Sequence, residues 1–148
     1  MNLNLKNKNA IVCASSQGLG KATAIDLAKE GVNLAICSRD QEKIDKAKEE
    51  ILQKTEHNIK VIALKADLDS LEDILIFLQE VEQSLGEIDI LINNTGGPPP
   101  STFEQISDED WQNAFNSTMM SAIRLSRALV PNMKKRNGAA LSISPQYQ

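Results

Sequence analysis

The run Ala14-Ser15-Ser16-Gln17-Gly18-Leu19-Gly20 carries the first chemical signal, because it is small or flexible throughout and ends in closely spaced glycines. A backbone this free of bulk lets a ligand come close. Where such a turn opens a helix, unpaired N–H groups and the positive end of the helix dipole face outward, which suits a diphosphate and needs no lysine. The plainer reading is a βα turn that needs glycine only for its positive φ. Three more polar groups follow: Ser38-Arg39, Asp67-Leu68, and Asn93-Asn94-Thr95-Gly96 running into Gly97-Pro98-Pro99-Pro100. Asp67 also reads as a turn cap and Asn94 as a left-handed corner. His57, the sole histidine, reads as solvated in a polar loop, and Cys13 and Cys37 as small core residues ending adjacent strands. No CxxC, paired histidine or carboxylate cluster has metal-ligand spacing.

These groups act together only if the chain gathers them, and its apolar pattern does so. Short continuous apolar runs alternate with helical spacing. Strands are predicted at 10–14, 33–37, 61–64, 88–92 and 139–144. The helix after the first strand turns Ala22, Ile25 and Ala28 inward and ends at Gly31; the next buries Ile44, Ala47 and Ile51. Ser70 and Asp73 open a third helix in capping-box spacing, with Ile74, Phe77, Leu78, Val81 and Leu85 on one face before Gly86. The three prolines make a stiff loop. A long helix follows, capped by Ser107 and Asp110, with Trp111, Phe115, Ala122, Leu125 and Leu129 inward and Pro131 placed to kink it. Lys134, Lys135 and Arg136 suit its negative end, and Gly138 frees the chain for the last strand. Continuous apolar strands between amphipathic helices imply an α/β fold: a parallel sheet covered on both faces, with ligands at the strand carboxyl ends. All four polar groups fall at those ends.

The 148 residues, 41% hydrophobic and 24% charged, predict one soluble globular domain with a core that needs no staples. A balance of 16 Lys+Arg against 20 Asp+Glu, net −4, provides no basic footprint for nucleic acid. No stretch is long and apolar enough for a bilayer, and Met1-Asn2-Leu3-Asn4-Leu5-Lys6 lacks a signal-peptide layout. The expectation is a cytoplasmic protein with reduced thiols.

The first turn lacks the Gly-Lys-Ser/Thr ending of an ATP-type loop and lies between a strand and a helix, as dinucleotide binding demands. It resembles the Thr-Gly-x-x-x-Gly-x-Gly turn of the short-chain dehydrogenase/reductase family, with Cys13 and Ala14 replacing Thr-Gly. Ser38-Arg39, Asp67-Leu68 and Asn93-Asn94-Thr95-Gly96, close to the family's Asn-Asn-Ala-Gly, follow in the family's order, and the resemblance extends through Trp111 and the stretch from Arg124 to Ala128. It implies a Rossmann-type doubly wound parallel sheet of about five strands in the order 3-2-1-4-5, forming a single, incomplete dinucleotide-binding domain over residues 1–148. It also implies that Ala14, Ser15, Ser16, Gln17, Gly18, Leu19 and Gly20 hold a pyrophosphate. Asp67, with Leu68, meets the adenine edge, while Asn93, Asn94, Thr95 and Gly96 brace the sheet and line a ribose. NAD-selective sheets usually end strand two in an acid, which would repel a 2′-phosphate. Here Ser38 stands there, and Arg39 offers a bidentate fork, so NADP(H) is preferred and NAD(H) possible. The alternative has Arg39 paired with Asp40 or solvated. Gln17 adds no basic group.

The proton chemistry of the family departs from this sequence. There it uses a Ser ending strand five, a Tyr with a Lys four residues later, and an Asn on the long helix. Pro145 takes the Ser position with Ser144 one residue early, and Thr118 takes the Asn position; Asn116 lies about 200° from it around a regular helix. Tyr147 is too near Ser144 to be the family's Tyr. Ser144 and Thr118 are therefore the only catalytic candidates. The resemblance implies the cofactor-binding half of an NADP-preferring oxidoreductase, truncated before Tyr-x-x-x-Lys, that interconverts a small-molecule alcohol and carbonyl. It binds neither nucleic acid nor membrane. The bare edge of strand five invites pairing with another chain, as in a homo-oligomer. Two alternatives stay open: a catalytically inactive dinucleotide-binding remnant, and an unrelated Rossmann-type binder of an adenosyl ligand, such as a methyltransferase.

Overall fold

Alternation along each strand assigns side chains to the two faces of the sheet. In the computed structural model, which describes residues 3–97, 101–136 and 140–144, a parallel sheet runs in the order β3-β2-β1-β4-β5. Its strands are β1 (Asn9–Val12), β2 (Asn33–Ser38), β3 (Val61–Lys65), β4 (Ile90–Asn94) and β5 (Ala140–Ser144). The helices are α1 (Gly18–Lys29), α2 (Gln41–Gln53), α3 (Leu71–Leu85), α4 (Asp108–Phe115) and α5 (Ser121–Lys135). This is the doubly wound arrangement that the resemblance implies.

From β1 and β2, Ala10, Val12, Leu34 and Ile36 pack with Ala24, Ile25 and Ala28 of α1 and Ile44, Ala47 and Ile51 of α2. The alternate residues Ile11, Cys13, Ala35 and Cys37 pack on the opposite face with Ile74, Phe77 and Val81 of α3 and Leu125 and Met133 of α5. Full burial of a side chain such as Phe77 or Ile11 contributes about 1.5–3 kcal/mol. Two of these helices start on side-chain caps: Asp40 accepts the Lys43 N–H, and Ser70 accepts that of Asp73. Helix α4 opens with a full capping box between Ser107 and Asp110.

Some expectations are corrected. Ala22 is exposed, and the buried row of α1 is Gly20, Ala24 and Ala28, whose i,i+4 spacing follows one helix face more closely than i,i+3. Trp111 and Phe115 are 52% and 49% exposed rather than inward. The long helix is not continuous, because a π turn at Asn116–Met120 separates α4 from α5. The box at α3 is only half formed: the Asp73 carboxylate accepts the Asp67 N–H at 3.0 Å. The left-handed Ala14 follows close behind β1, and β4 begins at Ile90. Pro98, Pro99, Pro100, Gly138, Ala139, Pro145 and Tyr147 lie outside the described residues.

At the amino edge of the sheet, side-chain amides fasten the loops. Asn9 Nδ2 donates to the carbonyls of Leu85 and Glu87, Asn33 Nδ2 donates to Asn9 Oδ1, and the Lys60 N–H donates to Asn33 Oδ1, at 2.8–3.0 Å. The buried Asp89 carboxylate accepts the Asn9 N–H at 3.0 Å and pairs with Arg136 at 3.1 Å and Lys8 at 3.4 Å. At the opposite edge, among the described residues, side-chain amides make shorter ties: Gln41 Oε1 accepts the Lys65 N–H at 3.0 Å, and Asn94 joins β4 to the turn after β1.

Candidate functional site

The carboxyl edge of the sheet gathers the polar groups that the sequence singles out. Beyond β1, Ala14 adopts φ 47, a left-handed conformation that costs a residue with a Cβ about 1–2 kcal/mol. Ser15 is fully buried and holds the turn from within: its Oγ donates to the Val12 carbonyl at 2.6 Å and its N–H to that of Cys37 at 3.1 Å. Gly18 takes φ 57 as α1 begins. The preceding Gln17 is extended and makes no side-chain cap, and the first turn of α1 carries no acid. Among the described residues its leading amides have no side-chain acceptor, beside exposed Gln17, Gly18 and Leu19 and half-buried Ser16.

Gly20 fixes how closely α1 approaches. A Cβ there would meet the Ala14 carbonyl oxygen at 2.5 Å and Asn94 Nδ2 at 2.7 Å. Asn94, buried at the end of β4, donates from Nδ2 to the carbonyls of Cys13 at 3.3 Å and Ala14 at 3.2 Å. It is a brace rather than a left-handed corner, because its φ is not positive. Among the described residues its Oδ1 is buried without a partner, as is that of Asn93, whose Nδ2 reaches Ser126 Oγ at 3.5 Å. Thr95 is half-buried and Gly96 exposed, with open space where a Cβ would stand.

Beside this turn, Ser38 Oγ donates to the Asp40 carbonyl at 2.8 Å and accepts the Asp40 N–H at 3.2 Å. Asp40 engages Lys43, through its N–H at 3.1 Å and its Nζ at 3.5 Å, rather than Arg39. Arg39 is exposed, and its charge is felt by Asp69. Burial and then the neighbouring Asp67 push the Asp69 carboxyl up, against the pull of Arg39 and Arg124. Asp67 does cap its turn, since its Oδ1 accepts the Asp69 N–H at 3.1 Å and its carbonyl accepts that of Ser70. Leu68 packs partly buried against the α3–α5 face. Arg124 Nη1 donates to the Asp69 carbonyl at 3.1 Å, tying this loop to α5. No sequence signal pointed to that tie, because it joins residues 55 apart through a backbone atom.

The two catalytic candidates fare differently. Thr118 lies within the π turn, where its Oγ1 donates to the Ala114 carbonyl at 2.6 Å. The regular-helix angle between Thr118 and Asn116 does not apply across that turn. Asn116 Oδ1 accepts from Gln112 Nε2 at 3.4 Å. Ser144 ends β5 in register with Asn94, at the same edge as the glycine turn after β1. His57 is exposed, and Cys13 and Cys37 are buried and free.

The fit to a dinucleotide rests on the open amides of α1, the cradle that a Cβ at Gly20 would fill, and the unpartnered Asn94 Oδ1. Among the described residues, no group of three metal-ligating side chains assembles. Among the described residues, no helix is long and apolar enough to cross a membrane.

The family model described as short chain dehydrogenase matches residues 8–146. An uncharacterized oxidoreductase, YvrD of Bacillus subtilis (strain 168), is 34% identical over 99% of the chain and 54% of its own length. The NADPH-dependent reductase BacG of the same strain is 34% identical over 80% of the chain and 46% of its own length. Among solved structures, L-sorbose reductase from Gluconobacter frateurii, complexed with NADPH and L-sorbose, superposes with a TM-score of 0.87 at 32% identity, covering 95% of this chain and 53% of that one. The chain spans about half the length of the relatives it matches.

Proposed function

This chain belongs to the short-chain dehydrogenase family, and on that footing we propose that it is the cofactor-binding part of an NADP-preferring oxidoreductase interconverting a small alcohol and its carbonyl. The carrying observation is the phosphate turn: uncapped amides open α1 while Gly20 admits no Cβ against Ala14 and Asn94. A diphosphate supplies the acceptors that these amides lack. The leading residues of α1 with Ala14, Ser15 and Ser16 hold it. Asp67 and Leu68 receive the adenine, and Asn94, Thr95 and Gly96 line the ribose. Arg39, with no acid at Ser38 to oppose it, grips the 2′-phosphate by charge-assisted hydrogen bonds. The NADPH in the L-sorbose reductase complex supports this preference, with NAD(H) as the weaker ligand.

When bound, a nicotinamide dinucleotide gives or accepts a hydride at the reacting carbon. The residues of this chain bind and orient. Thr118 spends its hydroxyl on its own helix, so it does not supply the proton as it stands. We read residues 1–148 as a single, incomplete dinucleotide-binding domain, in a cytoplasmic setting that suits its free thiols, with self-association as the expected partnership. The Thr118 bond favours a second reading, binding without turnover. The adenosyl-ligand alternative loses its basis in the family membership.

Titration with NADPH and NADH, followed by NADPH oxidation against a carbonyl panel, tests these readings. Tighter NADPH binding with turnover supports the first, and binding alone supports the second. Equal affinities or tighter NADH would remove Arg39 from the argument.

A further inference from the structure

Two sulfurs lie beneath the phosphate turn, unused by the binding residues. Val12 is paired with Ile36 across β1 and β2, so Cys13 and Cys37 stand side by side one step later. The ladder continues there, with the Ser15 N–H donating to the Cys37 carbonyl at 3.1 Å. Both side chains point to the α3–α5 face beside Ile11 and Ala35, and both are fully buried. Adjacent strands lie about 4.8 Å apart, within the Cα span of a disulfide, but the Cβ atoms must draw in to about 4 Å. The two thiols act on each other across this pair, which raises the Cys13 thiol and lowers that of Cys37 despite burial, with the Ala14 amide assisting.

We propose that Cys13 and Cys37 are a modification site, closing a reversible intrachain disulfide under hydrogen peroxide, and that this bond weakens dinucleotide binding. The second half rests on the reading under Proposed function. The Cys37 sulfur attacks a peroxide oxygen, the O–O bond breaks, and the thiol proton leaves with the departing hydroxide as water, giving a sulfenic acid. The Cys13 sulfur then attacks the Cys37 sulfur; its proton and the sulfenic hydroxyl leave as a second water. The thiols lose two electrons and two protons, and peroxide becomes two waters.

Access comes from opening the turn. Ala14, strained at φ 47, directly follows Cys13, and relief of that strain offsets part of the cost of opening the segment. A bound dinucleotide holds the same turn and so slows oxidation. Closure of the bond moves both anchors of the turn, because the Cys13 carbonyl accepts from Asn94 and the Cys37 carbonyl from Ser15. Loss of one charge-assisted amide–phosphate bond corresponds to roughly ten- to hundredfold in affinity.

The full chain is reduced, treated with hydrogen peroxide, digested without reductant and mapped by mass spectrometry, with NADPH titrated on the same samples. Tryptic cleavage at Lys21 and Lys29 leaves the two cysteines on separate peptides. The expected result is a Cys13–Cys37 cross-linked peptide, roughly ten- to hundredfold weaker NADPH binding, recovery with dithiothreitol, and slower cross-linking under saturating NADPH. Cys13→Ala and Cys37→Ala, each oxidised sample compared with its own reduced form, lose the cross-link and the peroxide effect. Sulfinic acids or intermolecular disulfides in its place overturn the proposal, as does a cross-linked chain that binds NADPH as tightly as the reduced one. A reduced chain that ignores NADPH sinks the functional reading, whereas the cross-link is judged by the peptide map alone.

Discussion

Replacing Gly20 by alanine places a methyl group 2.5 Å from the Ala14 carbonyl oxygen and 2.7 Å from Asn94 Nδ2. The first neighbour is backbone, and the second is held by its bonds to Cys13 and Ala14, so neither yields as the free end of a flexible side chain does. Overpacking of this kind costs about 1–3 kcal/mol. Alanine returns about 0.5–1 kcal/mol by stiffening a helical position, which leaves a net destabilisation of roughly 1–2 kcal/mol. Relief requires α1 to back away from the turn, and its leading amides move with it. If one amide–phosphate bond is lost, NADPH affinity falls roughly ten- to hundredfold. Urea unfolding gives the first quantity and fluorescence titration the second. A Gly20→Ala chain of undiminished stability that binds NADPH within twofold of the parent would refute the idea that this close approach shapes the site.

Ala14→Gly should remove the left-handed strain and, after the entropy of the added glycine is subtracted, stabilise the chain by about 0.5–1 kcal/mol, read as a raised urea midpoint. Arg39→Ala should weaken NADPH binding roughly ten- to hundredfold and leave NADH within twofold; a parallel loss for NADH would assign Arg39 a structural role. Acid should weaken the fold partly through two helix starts. Hydrogen bonds from Ser107 hold the Asp110 carboxyl low, and the Lys43 N–H does the same for Asp40. Their contribution is present above the ordinary carboxylate range and lost as pH falls through the depressed folded-state values. Thermal midpoints of Asp110→Asn and the parent should therefore differ at neutral pH and converge in acid.

Much of the architecture is legible because burial on both faces leaves a plain pattern. Ile44, Ala47 and Ile51 of α2, and Ile74, Phe77 and Val81 of α3, are each buried as their spacing requires. The pattern fails where spacing shows that residues share a face but not what that face meets. Trp111 and Phe115 do lie one helical turn apart, yet their face is exposed. In α1, alanine and glycine carry too little hydrophobic weight to tell Ala22 from Ala24, and close packing around Gly20 decides. The π turn leaves no trace in the apolar pattern, because it is a choice among backbone hydrogen bonds. At the candidate site, the groups at the carboxyl edge are legible as residue types. The ties between them are not: the Asp73 carboxylate on the Asp67 amide and Arg124 on the Asp69 carbonyl join residues far apart or use backbone atoms.

The chain of amides from Leu85 through Asn9 and Asn33 to Lys60, reinforced by Asp89, stitches one rim of the sheet with side chains of its own. At the other rim, among the described residues, the start of α1 has no side-chain cap and the Asn93 and Asn94 Oδ1 atoms have no partner. Both rims therefore bear on stability, the second through the close approach at Gly20, while the open polar groups gather at the second alone. Substitutions at Asn33 should therefore lower the melting temperature, and on the proposed function those around Gly18 should also weaken dinucleotide binding.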